Sequence, residues 1–299
     1  MTINLSILKS IKFNFNLGKR TWFGTGGNCM FFYEPKSINQ LVSVIKLNKS
    51  FFPIMIIGSG SNLLVRDGGY KGLVIKLSGD FKKIEFDESD SILTLGAAVK
   101  DSEISKFCLS KGISGLEFLS GIPGTIGGNL KMNAGCYGEQ ISDKLIECTI
   151  IDENSKVKKL KKCEIQFSYR KSSFTKNQTI IEAKFKVKKL QKSYIKQKIL
   201  RISNDRKKTQ PFASRTGGST FINPKQHSAW KLIDNINYRG RELGGAKVSD
   251  LHTNFLINYN QASSLDLEML GEEIRQEVLK KKRIRLDWEL QRIGKFRKI

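Results

Sequence analysis

Residues 57–69 read Ile57-Gly58-Ser59-Gly60-Ser61-Asn62-Leu63-Leu64-Val65-Arg66-Asp67-Gly68-Gly69, following the apolar run Ile54 to Ile57. A short buried strand that ends in Gly-x-Gly is how a dinucleotide-binding βαβ unit opens, but the sixth position here is Leu63 rather than Gly. Leu63-Leu64-Val65, a turn at Asp67-Gly68-Gly69 and Leu73-Val74-Ile75 predict a hairpin where that unit needs a helix. The Gly-Lys-[Ser/Thr] end of a Walker loop is also missing. What remains is a general mechanism, in which glycines let successive N–H groups turn toward an anion while Ser59, Ser61 and Asn62 add donors. An ordinary tight turn has the same composition.

A second glycine-rich stretch, Gly121-Ile122-Pro123-Gly124-Thr125-Ile126-Gly127-Gly128 continuing to Met132-Asn133-Ala134-Gly135-Cys136-Tyr137-Gly138, lies about 60 residues further on. So many glycines without strand regularity imply backbone that closely approaches something bulky or crosses itself. Two such loops in one half of the chain point to a single large phosphate-bearing cofactor.

Around these loops the apolar periodicity alternates between types. Ile38, Leu41, Val42 and Ile45 predict a helix after the N-cap Ser37, with Gln40 three positions on. Ile92 to Leu95 predict a strand, and a helix follows from about Asp101 to Gly112. Ala183, Phe185 and Val187 alternate with Lys184, Lys186 and Lys188, a strand with one solvated face. Lys192 to Lys208 predict a helix with Ile195, Ile199 and Ile202 inward, linking to a second unit. That unit carries Gly217-Gly218-Ser219, an apolar-periodic segment at Ala229 to Ile236, a strand at Asn254 to Asn258, and a closing helix from Ser263 or Ser264 with Leu267, Leu270, Ile274 and Val278 on one stripe. The expected class is α+β.

The chain has 299 residues with a formal charge of +24, 2 His and 5 Cys. Its longest apolar run, Phe51 to Ile57, is far shorter than the ~20 residues of a membrane-spanning helix. No secretory signal is visible, since Lys9 and Lys12 interrupt the N-terminal apolar stretch, so a cytoplasmic protein without membrane insertion is expected. Cys29, Cys108, Cys136, Cys148 and Cys163 never form C-x-x-C, and with only His227 and His252 no metal centre is expected. Residues 155–215 and 280–299 together carry the whole net charge. Such clustering suits nucleic acid, a membrane surface or an anionic small substrate, but the Lys alternation at 184, 186 and 188 is better read as a solvated sheet face.

Five motifs in order carry a resemblance. Ile57 to Gly69, the block Gly115-Leu116-Glu117-Phe118-Leu119-Ser120-Gly121 through Gly128 with Met132-Asn133-Ala134-Gly135, Ser168-Tyr169-Arg170-Lys171-Ser172, Gly218-Ser219-Thr220-Phe221 and Trp288-Glu289 resemble the UDP-N-acetylenolpyruvoylglucosamine reductases of peptidoglycan precursor synthesis, in their shorter type. The resemblance implies a two-part FAD-binding domain of the vanillyl-alcohol-oxidase (PCMH) type at residues 1–195, split near 78, and a C-terminal α+β substrate-binding domain at 196–299. It implies an oxidoreductase that uses NADPH as co-substrate to reduce a UDP-N-acetylglucosamine enolpyruvate to UDP-N-acetylmuramate. A monomer with no nucleic-acid partner is expected.

Residue by residue, the resemblance makes Ser219 the general acid, Arg170 the cation that stabilises the enolate, and Glu289 the acidic partner at the polarising site. FAD contacts would come from Gly58, Ser59, Gly60, Ser61, Asn62 and Leu63, from Gly121, Ile122, Pro123, Gly124, Thr125, Gly127 and Gly128, and from Asn133, Ala134 and Gly135. Gln210 and Asn223 would lie near the substrate, and His252 in His252-Thr253-Asn254 would serve a structural hydrogen bond. The chain departs from the pattern at Ile222, where Lys is common, and at Asn129-Leu130-Lys131, where small apolar residues are common. An FAD oxidase of the same superfamily is the rival enzyme, and a nucleic-acid-binding protein is the rival from another class.

Overall fold

The computed structural model describes residues 5–48 and 51–297, so Lys298 of the basic C-terminal segment lies outside the described residues. The chain divides into two compact units, one of Met1–Phe13, Phe31–Ser59 and Gly72–Asn204, the other of Asn14–Met30, Gly60–Lys71 and Asp205–Ile299. The division interrupts the first glycine loop between Ser59 and Gly60 and falls inside the long basic helix, between Asn204 and Asp205.

The first unit is built on a five-stranded antiparallel sheet in the order Val157–Lys161, Leu145–Ile151, Thr179–Lys186, Ile92–Gly96, Ile84–Asp87. The alternation at 183–188 behaves as the pattern demands: Ala183, Phe185 and Val187 are buried, while Lys186 and Lys188 are exposed. Lys184 pairs with its cross-strand partner Glu147 at 3.1 Å. The helices of this unit are α1 (Leu5–Ser10), α2 (Ile38–Asn48), α3 (Asp101–Lys111), α4 (Ile126–Met132) and most of α5 (Lys192–Thr209). Gln40 N–H donates to the Ser37 hydroxyl at 3.3 Å at the head of α2, and Gly112 ends α3 in the left-handed conformation at φ +68°. Leu93, Leu95, Ile104, Phe118 and Phe185, each essentially inaccessible, sit in one core.

The hairpin predicted at 63–75 does not form. Ile54–Ile57 pairs parallel with the second half of Tyr70–Lys76, Ile54 opposite Leu73. Leu63–Val65 instead pairs parallel with Gln291–Ile293 in the second unit. The turn at Asp67–Gly69 is real, with Gly69 N–H bonded to the Arg66 carbonyl at 2.8 Å, but Gly68 N–H bonds the Lys295 carbonyl at 2.9 Å. A partner more than 200 residues away supplies the ladder, and local turn chemistry carries no information about it.

In the second unit an antiparallel sheet runs in the order Thr216–Ser219, Phe255–Asn258, Ala246–Val248, Glu242–Leu243. Helices α6 (Ala229–Asp234) and α7 (Ser264–Lys282) belong to it. Ser263 and Asp266 cap α7 reciprocally at 3.0 and 2.9 Å, and Leu267, Leu270, Ile274 and Val278 are fully buried. Among the described residues no helix is long and apolar enough to cross a membrane.

Gly271 belongs to the buried face of α7, where a Cβ would stand 2.1 Å from the Trp288 ring. Alanine at an open helix site gains about 1 kcal/mol over glycine, whereas overpacking a core loses about 1–3 kcal/mol. Gly271→Ala is therefore expected to lower the denaturant midpoint, and a raised midpoint would contradict this packing.

Candidate active site

In the first unit the two glycine-rich segments meet. Ser59 Oγ donates to the Gly124 carbonyl at 3.2 Å, and a Cβ on Gly58 would lie 2.4 Å from Thr125 Oγ1. The Gly121–Gly128 loop is tied from beneath by Ile126 N–H to the Val99 carbonyl, 3.1 Å, and Gly127 N–H to the Ala97 carbonyl, 2.9 Å. A Cβ at Gly124 would meet Asn129 Oδ1 at 2.5 Å and Asp101 Oδ2 at 2.8 Å, so bare backbone is a steric requirement there. After α4 comes Asn133, left-handed at φ +43° and buried, with Nδ2 donating to Gln140 Oε1 at 2.9 Å and to the Ser168 carbonyl at 3.0 Å. Asn133 Oδ1 is buried without a hydrogen-bond partner. Ala134 N–H bonds the Asn129 carbonyl at 2.8 Å, and Gly135 pairs with Gln140. Side-chain-free backbone at two crossing loops, with an orphaned amide oxygen beside them, fits a large flat ligand such as FAD. Ser59, Gly121, Ile122, Pro123, Gly124, Thr125, Gly127 and Gly128 come together here; Gly60, Ser61, Asn62 and Leu63 belong to the other unit.

Asp101 and Asn129 form a buried polar pair under this loop, Asn129 Nδ2 donating to Asp101 Oδ1 at 2.6 Å. Burial pushes the Asp101 carboxyl well above the usual carboxylate range, against the lowering effect of the Asn129 hydrogen bond.

Arg170 occupies a two-residue turn. Phe167–Ser168 and Lys171–Ser172 pair as a hairpin, Ser168 opposite Lys171, leaving Tyr169 and Arg170 at its tip. Arg170 is left-handed at φ +58°, a conformation that favours glycine and costs other residues about 1–3 kcal/mol, and its guanidinium lies over the Tyr169 ring at 4.9 Å. Strain of this kind persists where surroundings hold it and concentrates at functional residues.

In the second unit Ser219 follows Gly218, which has φ +82° and open space where a Cβ would point. The register with Phe255–Asn258 shifts between Thr216 and Ser219, a bulge that re-aims the serine. Thr220, fully buried, accepts Glu289 N–H on its carbonyl at 2.9 Å, so Ser219 and Glu289 flank one peptide junction. Asn62 Nδ2 donates to the Glu289 carbonyl at 3.1 Å, and Gln291 N–H to the Asn62 carbonyl at 3.0 Å. The strands on either side complete the clamp: Phe221 pairs with Trp288, Ile222 with Asp287, Leu63 with Gln291. Ile222, where the resemblance leads one to expect Lys, thus sits in the pair that carries Trp288.

Gln210 accepts from Arg206 Nε at 2.9 Å, and Asn223 is exposed and accepts Ala229 N–H at 2.9 Å at the head of α6. His252 Nδ1 accepts Asn254 N–H at 3.3 Å with its ring against Phe255, a structural bond as expected, and burial lowers its pKa. Two residues frame this site, Asn254 of the quoted His252-Thr253-Asn254 motif and Glu268, which the sequence did not single out. Asn254, 4 % exposed, receives Phe221 N–H at 3.0 Å and gives Nδ2–H to the Phe221 carbonyl at 2.8 Å. Glu268, also 4 % exposed, binds Arg66 through both carboxylate oxygens at 2.8 and 2.9 Å and Arg292 at 2.9 Å. The only signal for Glu268 was a helical Glu, a residue type too common to stand out without its partners.

Residues 30–161 match the family model described as an FAD binding domain, and residues 210–293 match that of the UDP-N-acetylenolpyruvoylglucosamine reductase C-terminal domain. The UDP-N-acetylenolpyruvoylglucosamine reductase of Rickettsia prowazekii (strain Madrid E) is 43 % identical over 293 residues, 98 % of this chain and 99 % of the relative. The crystal structure of the corresponding reductase from Thermus caldophilus superposes with a TM-score of 0.83 at 28 % identity, over 93 % of this chain and 97 % of that one. Wild-type Phl p 4.0202, a glucose dehydrogenase, reaches a TM-score of 0.50 at 10 % identity over 63 % of this chain and 44 % of its own, a likeness of fold alone.

The raised Asp101 pKa has a definite sign. A carboxyl whose folded pKa exceeds its unfolded value adds stability below the unfolded value and loses it as pH rises through the folded one. Asp101→Asn, which keeps an acceptor for Asn129, is expected to gain stability over wild type as pH is raised from 4 to 8, read by urea midpoints at each pH. A constant difference across that range would mean that Asp101 does not change protonation on folding.

Proposed function

Because the chain belongs to the UDP-N-acetylenolpyruvoylglucosamine reductase family, with an α+β fold of a vanillyl-alcohol-oxidase-type FAD-binding domain and a C-terminal α+β domain, we propose that it reduces the enolpyruvyl ether of a UDP-N-acetylglucosamine to UDP-N-acetylmuramate at the expense of NADPH. The proposed setting is peptidoglycan precursor synthesis by a cytoplasmic monomer, with FAD held chiefly by residues 1–195 and substrate by 196–299. The observation that supports this reading is the Thr220 carbonyl, which binds the Glu289 amide and so ties the segment bearing Glu289 to the residue after Ser219.

FAD, when bound, supplies hydride taken from NADPH to the terminal vinyl carbon. The chain's own residues handle the charge and the proton. Hydride addition leaves an electron pair on the carbon next to the carboxylate, delocalised as an enolate. Ser219 O–H gives its proton to that carbon, closing the C–H bond. Such an acid works against a strongly basic carbanion despite its high pKa, and the serine recovers its proton from solvent before the next turnover. Arg170 is the fixed cation suited to the enolate oxygens, and Glu289 completes the hydrogen-bonded surroundings of the carboxylate. The Gly124 and Gly58 backbones, which tolerate no Cβ, would lie against the cofactor, with Asn133 offering its unsatisfied amide oxygen.

The purified protein should be yellow, and NADPH should bleach its flavin while the enolpyruvyl UDP-sugar restores the colour. Ser219→Ala should leave bleaching by NADPH intact and slow recolouring by about 10²–10⁴-fold. A protein that cannot be loaded with FAD, or equal loss of both half-reactions in the variant, would defeat the assignment.

A further inference from the structure

Helix α4 begins at Ile126 within the Gly121–Gly128 segment, and its last turn reaches the segment that bears Arg170. Lys131 Nζ donates to the Phe174 carbonyl at 2.7 Å and to the Thr175 carbonyl at 2.6 Å. Ser172 Oγ donates to the Lys131 carbonyl at 2.7 Å, and Asn133 Nδ2 to the Ser168 carbonyl at 3.0 Å. The four bonds bracket Tyr169–Arg170 on both sides of the hairpin. They matter because the hairpin is weak by itself: two residue pairs, a two-residue tip and a left-handed arginine. A ladder this short does not hold its shape in water without outside support.

Lys131 is half-buried, and burial lowers its pKa. A long cationic side chain placed there loses rotamer freedom and hydration, which the two carbonyls offset.

We propose that Lys131 is a positioning residue for Arg170, fixing the strained turn by tying the backbone after it to the helix that begins within the flavin loop. The proposal rests on the reading of Arg170 as the group that stabilises the enolate. It makes no use of direct contact between Lys131 and any ligand.

The test compares FAD-loaded wild type, Lys131→Met and Lys131→Arg by hydrogen exchange and by separate half-reactions. In Lys131→Met, amides of 166–178 should exchange about tenfold faster or more, while the rest of the chain keeps its protection. Reoxidation by the enolpyruvyl UDP-sugar should slow by about 10–100-fold, the loss typical of a misplaced catalytic group. FAD retention and flavin reduction by NADPH should stay within about twofold of wild type, and Lys131→Arg, which keeps donors for both carbonyls, should recover most of the lost rate. Unchanged exchange and unchanged reoxidation in Lys131→Met overturn the proposal, and so does loss of FAD and both half-reactions together. A wild-type protein that the UDP-sugar does not reoxidise overturns instead the functional reading on which the proposal rests.

Discussion

Thr220 is bonded on every polar atom it has. Its N–H donates to the Asn254 carbonyl at 2.7 Å, its carbonyl accepts Glu289 N–H at 2.9 Å, and its hydroxyl oxygen accepts Leu256 N–H at 3.2 Å. With no solvent exposure, none of these groups has water as an alternative, so losing any one leaves an unpaired buried dipole worth about 1–3 kcal/mol. The residue before it is Ser219 and the segment bonded to it carries Glu289. The local order of both acid candidates thus derives from a threonine that does no chemistry in the proposed reaction, and Asn254 repeats the arrangement one residue on by bonding both backbone groups of Phe221.

The segment 287–293 is held by charge as well as by backbone. Glu268 is almost wholly buried and engages Arg66 and Arg292, while Glu272 accepts from Arg292 and from the Trp288 indole at 2.8 Å each. The paired carboxylate of Glu268 raises the pKa of Arg66 further. Desolvating a buried carboxylate is expensive unless its lone pairs are filled, and here two guanidinium groups fill them. Removing either arginine would leave a buried charge exposed to a low dielectric, a larger loss than the pair's net contribution. Arg292, which reads in the sequence as part of the basic C-terminal run, is therefore framework together with Arg66.

What could be read in the sequence was what depends on neighbours within a few residues. The period of α7 with its Ser263 cap, the end of α3 at Gly112 and the alternation at 183–188 are local patterns, and each is present. The failed dinucleotide fingerprint correctly excluded a βαβ opening, because Leu63 starts a strand rather than a helix. The pairing of that strand was beyond local reading: its partner Gln291–Ile293 is a three-residue piece with no turn connecting the two. The framing role of Asn254, quoted only as part of a motif, and the whole of Glu268 escaped for the same reason. Their importance lies in partners 33 and more than 200 residues away, to which residue type gives no clue.

Asn129 and Lys131 show how polar side chains are accommodated in a helix with a buried face. Replacing a small apolar residue by Asn or Lys in a buried helix introduces polar atoms that must be matched. Asn129 is matched by Asp101, whose carboxyl, its pKa pushed up by burial, accepts its N–H. Lys131 is matched by two carbonyls of the segment after the Arg170 turn. Leu130 between them remains apolar and fully buried in the core. Each polar newcomer thus links α4 to a different neighbour, one to the base of the glycine loop and one to the arginine hairpin. Two polar residues with the same spacing but without Asp101 and without the carbonyls at 174–175 would unbalance the helix. The two pairings are therefore a coordinated set, each polar side chain depending on its own partner.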